Sequence, residues 1–329
     1  DDYFLGRPKL DQIIVKFIPD GNTMLANLLS GEIDANVGRG LTLDQADQLN
    51  ERWMDGKVQY NLTAPIHIWP EMDARWSNPP AIRDVRFRRA LLMAINRQEL
   101  IETFTGGRSK IAATAWLSPG DAEFPAVEKS IVQYAFDPRQ SVQLFADAGF
   151  SRGVDGLFRD AWGAVVSPEI RTSTRVNETL SIVDYWKQVG IKAQPYTIPR
   201  QLAQDLEYRT QFTGFEVIRS PIQPRTITSG ELRTPETKYV GANYANYSNA
   251  DYDALAARYY AAIARPDRVQ AENDIMNWLS DQLIDLPLMY DTEPIAAKNR
   301  LSGLGPRYGG VTVRGASNVW NAQDWDLTS

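Results

Sequence analysis

DVRFRRALLMAINRQELIETFTGG, residues 84–107, is the stretch that orients the chain. Asp84 is a good N-cap, and Phe87, Leu91 and Ala94 or Ile95 recur at helical spacing behind it. The pattern restarts at Asn96 with Glu99 three residues on, the spacing of a capping box. Leu100, Ile101 and Phe104 continue the apolar face, and Gly106-Gly107 supplies a left-handed stop. Two short helices joined at Ile95-Asn96 are therefore expected. Arg86, Arg88 and Arg89 are expected on a solvated face of the first.

Towards the N-terminus, Ile13–Ile18 reads as a strand closed by the turn Pro19-Asp20-Gly21-Asn22. A helix over Thr23–Ser30 follows, with Leu25, Leu28 and Leu29 inward and Gly31 as its stop, and then a strand at Ile33–Val37. That order predicts a β-α-β unit in a parallel sheet. Leu43–Met54 is helical, starting from Thr42 or Asp44. PIHIWPEM, residues 65–72, is extended, and Asn78-Pro79-Pro80 leads from it towards Asp84.

Towards the C-terminus, Asp137-Pro138 opens a helix with Val142, Phe145 and Ala148 buried and Gly149 at its end. Val165–Ser173 is a strand, and Asn177–Val189 a helix with Leu180, Val183 and Trp186 on one face. Strands at Ile191–Thr197 and Phe215–Ile218 flank a short helix near Leu202–Tyr208. Helices over Ser248–Ala264 and from Pro266 follow, with Ile275, Leu279 and Leu283 buried in the second. Leu286–Tyr290 is a strand, and the Gly-rich tail to Ser329 is strand-like. Two α/β regions emerge, around 11–60 and 63–288.

The 329 residues are 43% hydrophobic, enough to bury a large core in more than one lobe. The net charge of −6 argues against a nucleic-acid partner, which asks for a basic face. No run approaches the roughly 18 apolar residues of a membrane span. With no cysteine and one histidine, His67, thiolate and multi-histidine metal sites are excluded, and no cofactor is expected. Nine Trp and 14 Tyr are side chains of the kind that line small-molecule clefts.

Taken in order, GEIDANV, NPPAIRDVRFRRALLMAINRQELIETFTGG, YAFDPRQSVQLFADAGF with GVDG, YWKQVGIKAQ, GFEVI and YSNADYDALAARYYAAIARPDRVQAENDIMNWLSDQLIDLPLMY make a specific set. The set resembles the family 5 extracellular solute-binding proteins, the oligopeptide, dipeptide and nickel receptors of ABC importers, across nearly the whole chain. The resemblance implies an α/β, two-lobed, periplasmic-binding-protein-like fold of class II. Residues 1–62 and 289–329 would belong to lobe I and 63–288 form lobe II, with the N-terminal part of lobe I missing. It also implies a non-enzymatic receptor, periplasmic or extracellular and anchored by lipid through the missing N-terminus. The implied partners are a small-molecule or peptide ligand, a membrane ABC permease and the missing part of lobe I.

In such a receptor the ligand sits between lobes. Alternation puts His67, Trp69 and Glu71 on one face of PIHIWPEM, and either that face or its opposite is expected to line the cleft. After GFEVI, the turn Arg219–Arg225 resembles a loop that in peptide receptors carries a tryptophan and ends in an amine-binding aspartate. Ile222 stands at the tryptophan and Arg225 at the acid, so the resemblance implies an altered preference at the peptide N-terminus. Arg175 and Arg219 match cleft positions of relatives, and Arg200 lies in a neighbouring loop. Arginines gathered there favour an anion through bidentate hydrogen bonds, unless Glu71, Glu207 or Glu216 pairs with them. The rival readings are an oligosaccharide receptor with Trp69 and Trp116 as platforms, and a carboxylate-pair glycosidase. No G-x-S-x-G, H-E-x-x-H or G-x-x-x-x-G-K occurs, and a Ser-His-Asp triad would have to use His67.

Overall fold

The structure, a computed structural model, describes residues 6–37, 40–304, 319 and 321–327. The chain forms two units, one of residues 1–63 with 291–329 and the other of 64–290.

In the first unit, helix α1 (Gly21–Ser30) is capped by Asp20, whose side chain accepts from the Thr23 amide, and it ends at Gly31. Strand β1 (Ala35–Asn36) follows, then α2 (Leu43–Arg52), where Thr42 and Gln45 form a reciprocal capping box. Strand β2 (Gly56–Pro70) carries the chain into the second unit after Thr63. Met24, Leu28, Leu41, Leu49 and Trp53 form a small core. Leu29 is not part of it, being 42% exposed, whereas Met24 is buried.

The expected β-α-β unit is corrected. Residues 13–18 form no strand, and Ile13, Ile14, Val15 and Phe17 are exposed. A strand needs a neighbour for its amides and carbonyls, and no described residue pairs with this run. β1 instead pairs antiparallel with the returning strand, Ala35 opposite Ala297.

The second unit opens with helices α3 (Val85–Met93), capped by Asp84, and α4 (Arg97–Thr105), capped by Asn96 and stopped by left-handed Gly106. Arg88 departs from the expected solvated face. It is 2% exposed and donates to the carbonyls of Ile82, Leu283 and Gln282. Next come α5 (Phe124–Val127), α6 (Pro138–Asp147) and a small hairpin of β3 (Ser151–Arg152) and β4 (Phe158–Arg159). Strand β5 (Glu169–Thr172) leads to α7 (Val176–Gln188), which buries Thr179, Ile182 and Trp186. Leu180 on that helix is 46% exposed, so its buried stripe is rotated from the one expected. β6 (Gln194–Thr197), α8 (Leu206–Thr210) and β7 (Phe215–Arg219) follow. Helices α9 (Ala250–Ala261) and α10 (Arg265–Gln282) precede β8 (Leu286–Lys298), which leaves the unit after Tyr290. In the first unit the tail closes with β9 (Leu301–Ser302) paired to β10 (Asp326–Leu327); residues 305–318 lie outside the described set.

The sheet of the second unit runs β8-β2-β7-β5-β6. β5 is parallel to both β6 and β7, while β7 is antiparallel to β2, with Ile66 opposite Arg219. Gly214 is fixed by close approach: a Cβ there would stand 2.0 Å from the Glu169 carbonyl oxygen. Both faces are covered. Ile66, Ile68, Phe215 and Val217 pack with α3, α4, α6 and α7 on one side. Trp69 packs with Trp116, Phe124, Ile222, Tyr252 and Ile275 on the other. Among the described residues no helix is long and apolar enough to cross a membrane.

Candidate functional site

Parallel strands β5, β6 and β7 end at Thr172, Thr197 and Arg219, on the edge of the sheet where β2 enters the unit and β8 leaves it. In α/β sheets this carboxyl edge is where the chain turns into loops and ligands bind. Arg175, Arg200 and Arg219 stand at or just beyond these strand ends. Arg219 is half-buried as the last residue of β7. Arg175 is at the N-cap position of α7 and reaches Glu178 at 3.1 Å, and Arg200 is exposed in the turn after β6. Arg225 lies farther along, largely exposed in the single 3-10 turn Pro224–Ile227, with its Nε 2.5 Å from Glu231.

The remaining sequence candidates are interior. Within its own unit neither face of PIHIWPEM is open, because residues 64–71 are buried without interruption. Trp69 is 1% exposed, stacked edge-on against His67 at 4.8 Å, and Ile222 is fully buried beside it. Trp116 is buried too, with Tyr259 edge-on at 5.3 Å, so neither indole presents a sugar platform within this unit. Glu207 accepts from the Tyr239 hydroxyl. Glu216 is held by Arg171 and Arg209, two buried arginines that no local sequence signal marks.

His67 does meet the two partners that a triad would need. Its Nε2 is 3.1 Å from the Ser220 hydroxyl, and its Nδ1 is 3.4 Å from the Asp285 carboxylate, short of a hydrogen bond. Acyl transfer also needs donors aimed at the developing oxyanion. Around Ser220 the main chain has none to spare. The Ser220 amide donates to Pro65, Pro221 has no N–H, and the Ile222 amide donates to Ala115. The three side chains lie in a row between β7, β2 and the start of β8, with a hydrogen bond at the Ser220 end and a charge contact at the Asp285 end.

Glu71, at the opposite end of β2, is fully buried; it accepts from the Asp73 amide at 2.7 Å and from Asn246 at 2.8 Å. Burial outweighs these bonds and pushes its carboxyl up to about 8. The folded value lies above the unfolded one, so the folded state binds the extra proton. The resulting stabilisation is complete below the unfolded value of 4.5 and is lost as pH rises towards about 8. Stability is therefore expected to fall over that window by at most roughly 1.4 kcal/mol per pH unit. Glu71→Gln should flatten that slope in urea denaturation; equal slopes for the two proteins would refute the assignment.

The model of the bacterial extracellular solute-binding proteins, family 5 Middle, matches residues 1–267, and the chain belongs to this family. Heme-binding protein A of Haemophilus influenzae is 24% identical over 261 residues, covering 78% of this chain and 44% of that protein. Oligopeptide-binding protein AppA of Bacillus subtilis is 24% identical over 273 residues, covering 78% and 46%. The chain thus spans about half the length of the curated relatives it matches. The oligopeptide-binding protein of Thermus thermophilus, solved with a pentapeptide, superposes with a TM-score of 0.74 at 22% identity, covering 94% of this chain and 56% of that one. That likeness is one of fold.

Proposed function

We propose that this chain is part of an ABC-importer receptor that captures a peptide-like or anionic small solute between two lobes and passes it to a membrane permease. Residues 1–63 with 291–329 supply lobe I and 64–290 form lobe II, in a protein that works in the periplasm or outside the cell. The observation that carries this reading is the family match over residues 1–267. The relatives' names, one heme-binding and one oligopeptide-binding, leave the solute open. Its charge preference is read from Arg200 and Arg219 at the carboxyl edge of lobe II, where a guanidinium fork suits a carboxylate, with Arg175 shared with Glu178. Arg225, matched by Glu231, adds less net charge there than its position in the sequence implied. The Ser220–His67–Asp285 link serves structure, and the solute leaves unchanged.

Calorimetry on the full-length receptor with trialanine and N-acetyl-trialanine tests this reading. The blocked peptide, lacking the cationic amine, is expected to bind several-fold more tightly. Arg219→Ala should weaken binding about tenfold or more, the loss of one charge-assisted hydrogen bond of roughly 1.5–3 kcal/mol. Recovered peptide should be intact by mass. Preference for the free amine, unchanged by Arg219→Ala, would remove the anionic reading, and binding of neither peptide would remove the peptide-like one.

A further inference from the structure

The second unit contains a cavity of about 440 Å³ that the solute reading does not use. Its size falls in the range of small-molecule sites, roughly 300–1,000 Å³. The turn after β2, Arg83, the segment around Arg233 and the segment Asn246–Ser248 form its walls. It lies at the far end of the sheet from the carboxyl edge. Glu71, just before the wall residue Met72, donates its amide to Gly214 at the start of β7. Arg219 is four residues along that strand from Phe215, roughly 13 Å at about 3.3 Å per residue.

The charges on these walls do not cancel. Three arginines, Arg75, Arg83 and Arg233, face one acid, Asp73. Asp73 is already engaged by Arg75, whose Nε and Nη2 reach both carboxylate oxygens at 2.5–3.1 Å. The Arg83 guanidinium is exposed and makes no hydrogen bond or ion pair with another described residue. Arg233 is 7% exposed. Its Nε donates to the Gly241 carbonyl and its Cζ sits 3.6 Å over the Tyr244 ring, while Nη1 is buried without a hydrogen-bond partner among the described residues. The carboxylate whose charge reaches it, Glu216, is already paired with Arg171 and Arg209, so Arg233 is a buried cation without a counter-charge of its own. Ser248, whose hydroxyl is 3.1 Å from that of Ser229, adds a polar group to the same walls.

We propose that this cavity is an anion site separate from the solute site, in which Arg83 and Arg233 hold a small oxyanion of the phosphate type. Two guanidinium groups can divide the several oxygens of such an ion between them, which chloride does not offer and a single carboxylate offers less fully.

The test is titration of the full chain with inorganic phosphate at fixed ionic strength, followed by calorimetry, with acetate and chloride as comparison ions. Saturable phosphate binding is expected, tighter than acetate, with no saturable response to chloride. Arg83→Gln, an exposed change that leaves the fold intact, should weaken phosphate about tenfold or more. Arg233→Lys, which keeps the charge and loses the fork, should weaken it as well, with the urea midpoint read alongside. Arg86→Gln, another exposed arginine already paired to Asp84, should have no effect, and neither should Arg219→Ala. Absence of saturable phosphate binding overturns the proposal. So does binding indifferent to both Arg83→Gln and Arg233→Lys, and so does binding lost on Arg219→Ala alone, which would put the anion at the solute edge.

Discussion

Arg88→Met is expected to destabilise the second unit by about 3–5 kcal/mol in urea denaturation. Arg88 donates to the carbonyls of Ile82 at 2.7 Å, Gln282 at 2.6 Å and Leu283 at 2.9 Å. Gln282 is the last residue of α10, whose final carbonyls have no partners within the helix. Leu283 sits in the left-handed region at φ 45°, a conformation that costs a leucine roughly 1–2 kcal/mol. The guanidinium thus caps the helix and ties its strained exit to α3. Burial lowers the Arg88 pKa to about 10, so the group stays charged at neutral pH. Each carbonyl left without a donor costs about 1–3 kcal/mol, and relief from burying the charge returns part of the total. Arg88→Lys should recover only part, because an ammonium cannot span three acceptors in a fork. Arg86→Met, two residues away, loses an exposed pair with Asp84 and one exposed bond to the Asp147 carbonyl, and should cost no more than about 1 kcal/mol. If Arg88→Met costs no more than Arg86→Met, the capping role is wrong.

The contrast between Arg86 and Arg88 shows where a linear reading stops. Helix ends were legible because caps are local: Asp84, Asn96, Thr42 and Asp137 each bond an amide two or three residues on. Which arginine of RFRR turns inward depends on α10, nearly 200 residues later, and no local pattern carries that. The strand expected at 13–18 failed for a related reason, since apolar alternation describes a willing strand but does not provide its neighbour. At the candidate site, alternation sets Trp69 on the face opposite Ile66 and Ile68, with His67 against it, and the ends of β5, β6 and β7 place Arg175, Arg200 and Arg219 on one edge. It did not reveal that the Trp116 and Tyr252 layer covers the Trp69 face, or that Glu216 is held by Arg171 and Arg209.

That last trio carries the other large effect. Glu216 is 2% exposed and both its oxygens are engaged, Oε2 by Arg171 at 2.9 Å and Oε1 by Arg209. Arg171 also donates to the Arg209 carbonyl at 2.5 Å and lies 4.4 Å over the Phe212 ring. The network therefore fastens β5, β7 and the exit of α8 through one carboxylate. Glu216→Gln keeps the shape and removes the charge, leaving two buried guanidinium groups without the carboxylate they both bond. Breaking a buried pair this way costs about 3–5 kcal/mol, mostly from the stranded cations and not from lost attraction. The same reasoning makes the three groups strongly non-additive. Replacing all three with apolar residues, Arg171→Met, Glu216→Leu and Arg209→Met together, removes the trio's buried charges at once. The triple variant is expected to be more stable than Glu216→Gln alone and within about 2 kcal/mol of the parent. Urea denaturation of the parent, the single and the triple variant decides the matter. A triple variant that loses as much as the three single losses summed would mean the trio contributes ordinary independent contacts. A small loss for Glu216→Gln would mean that water reaches both arginines.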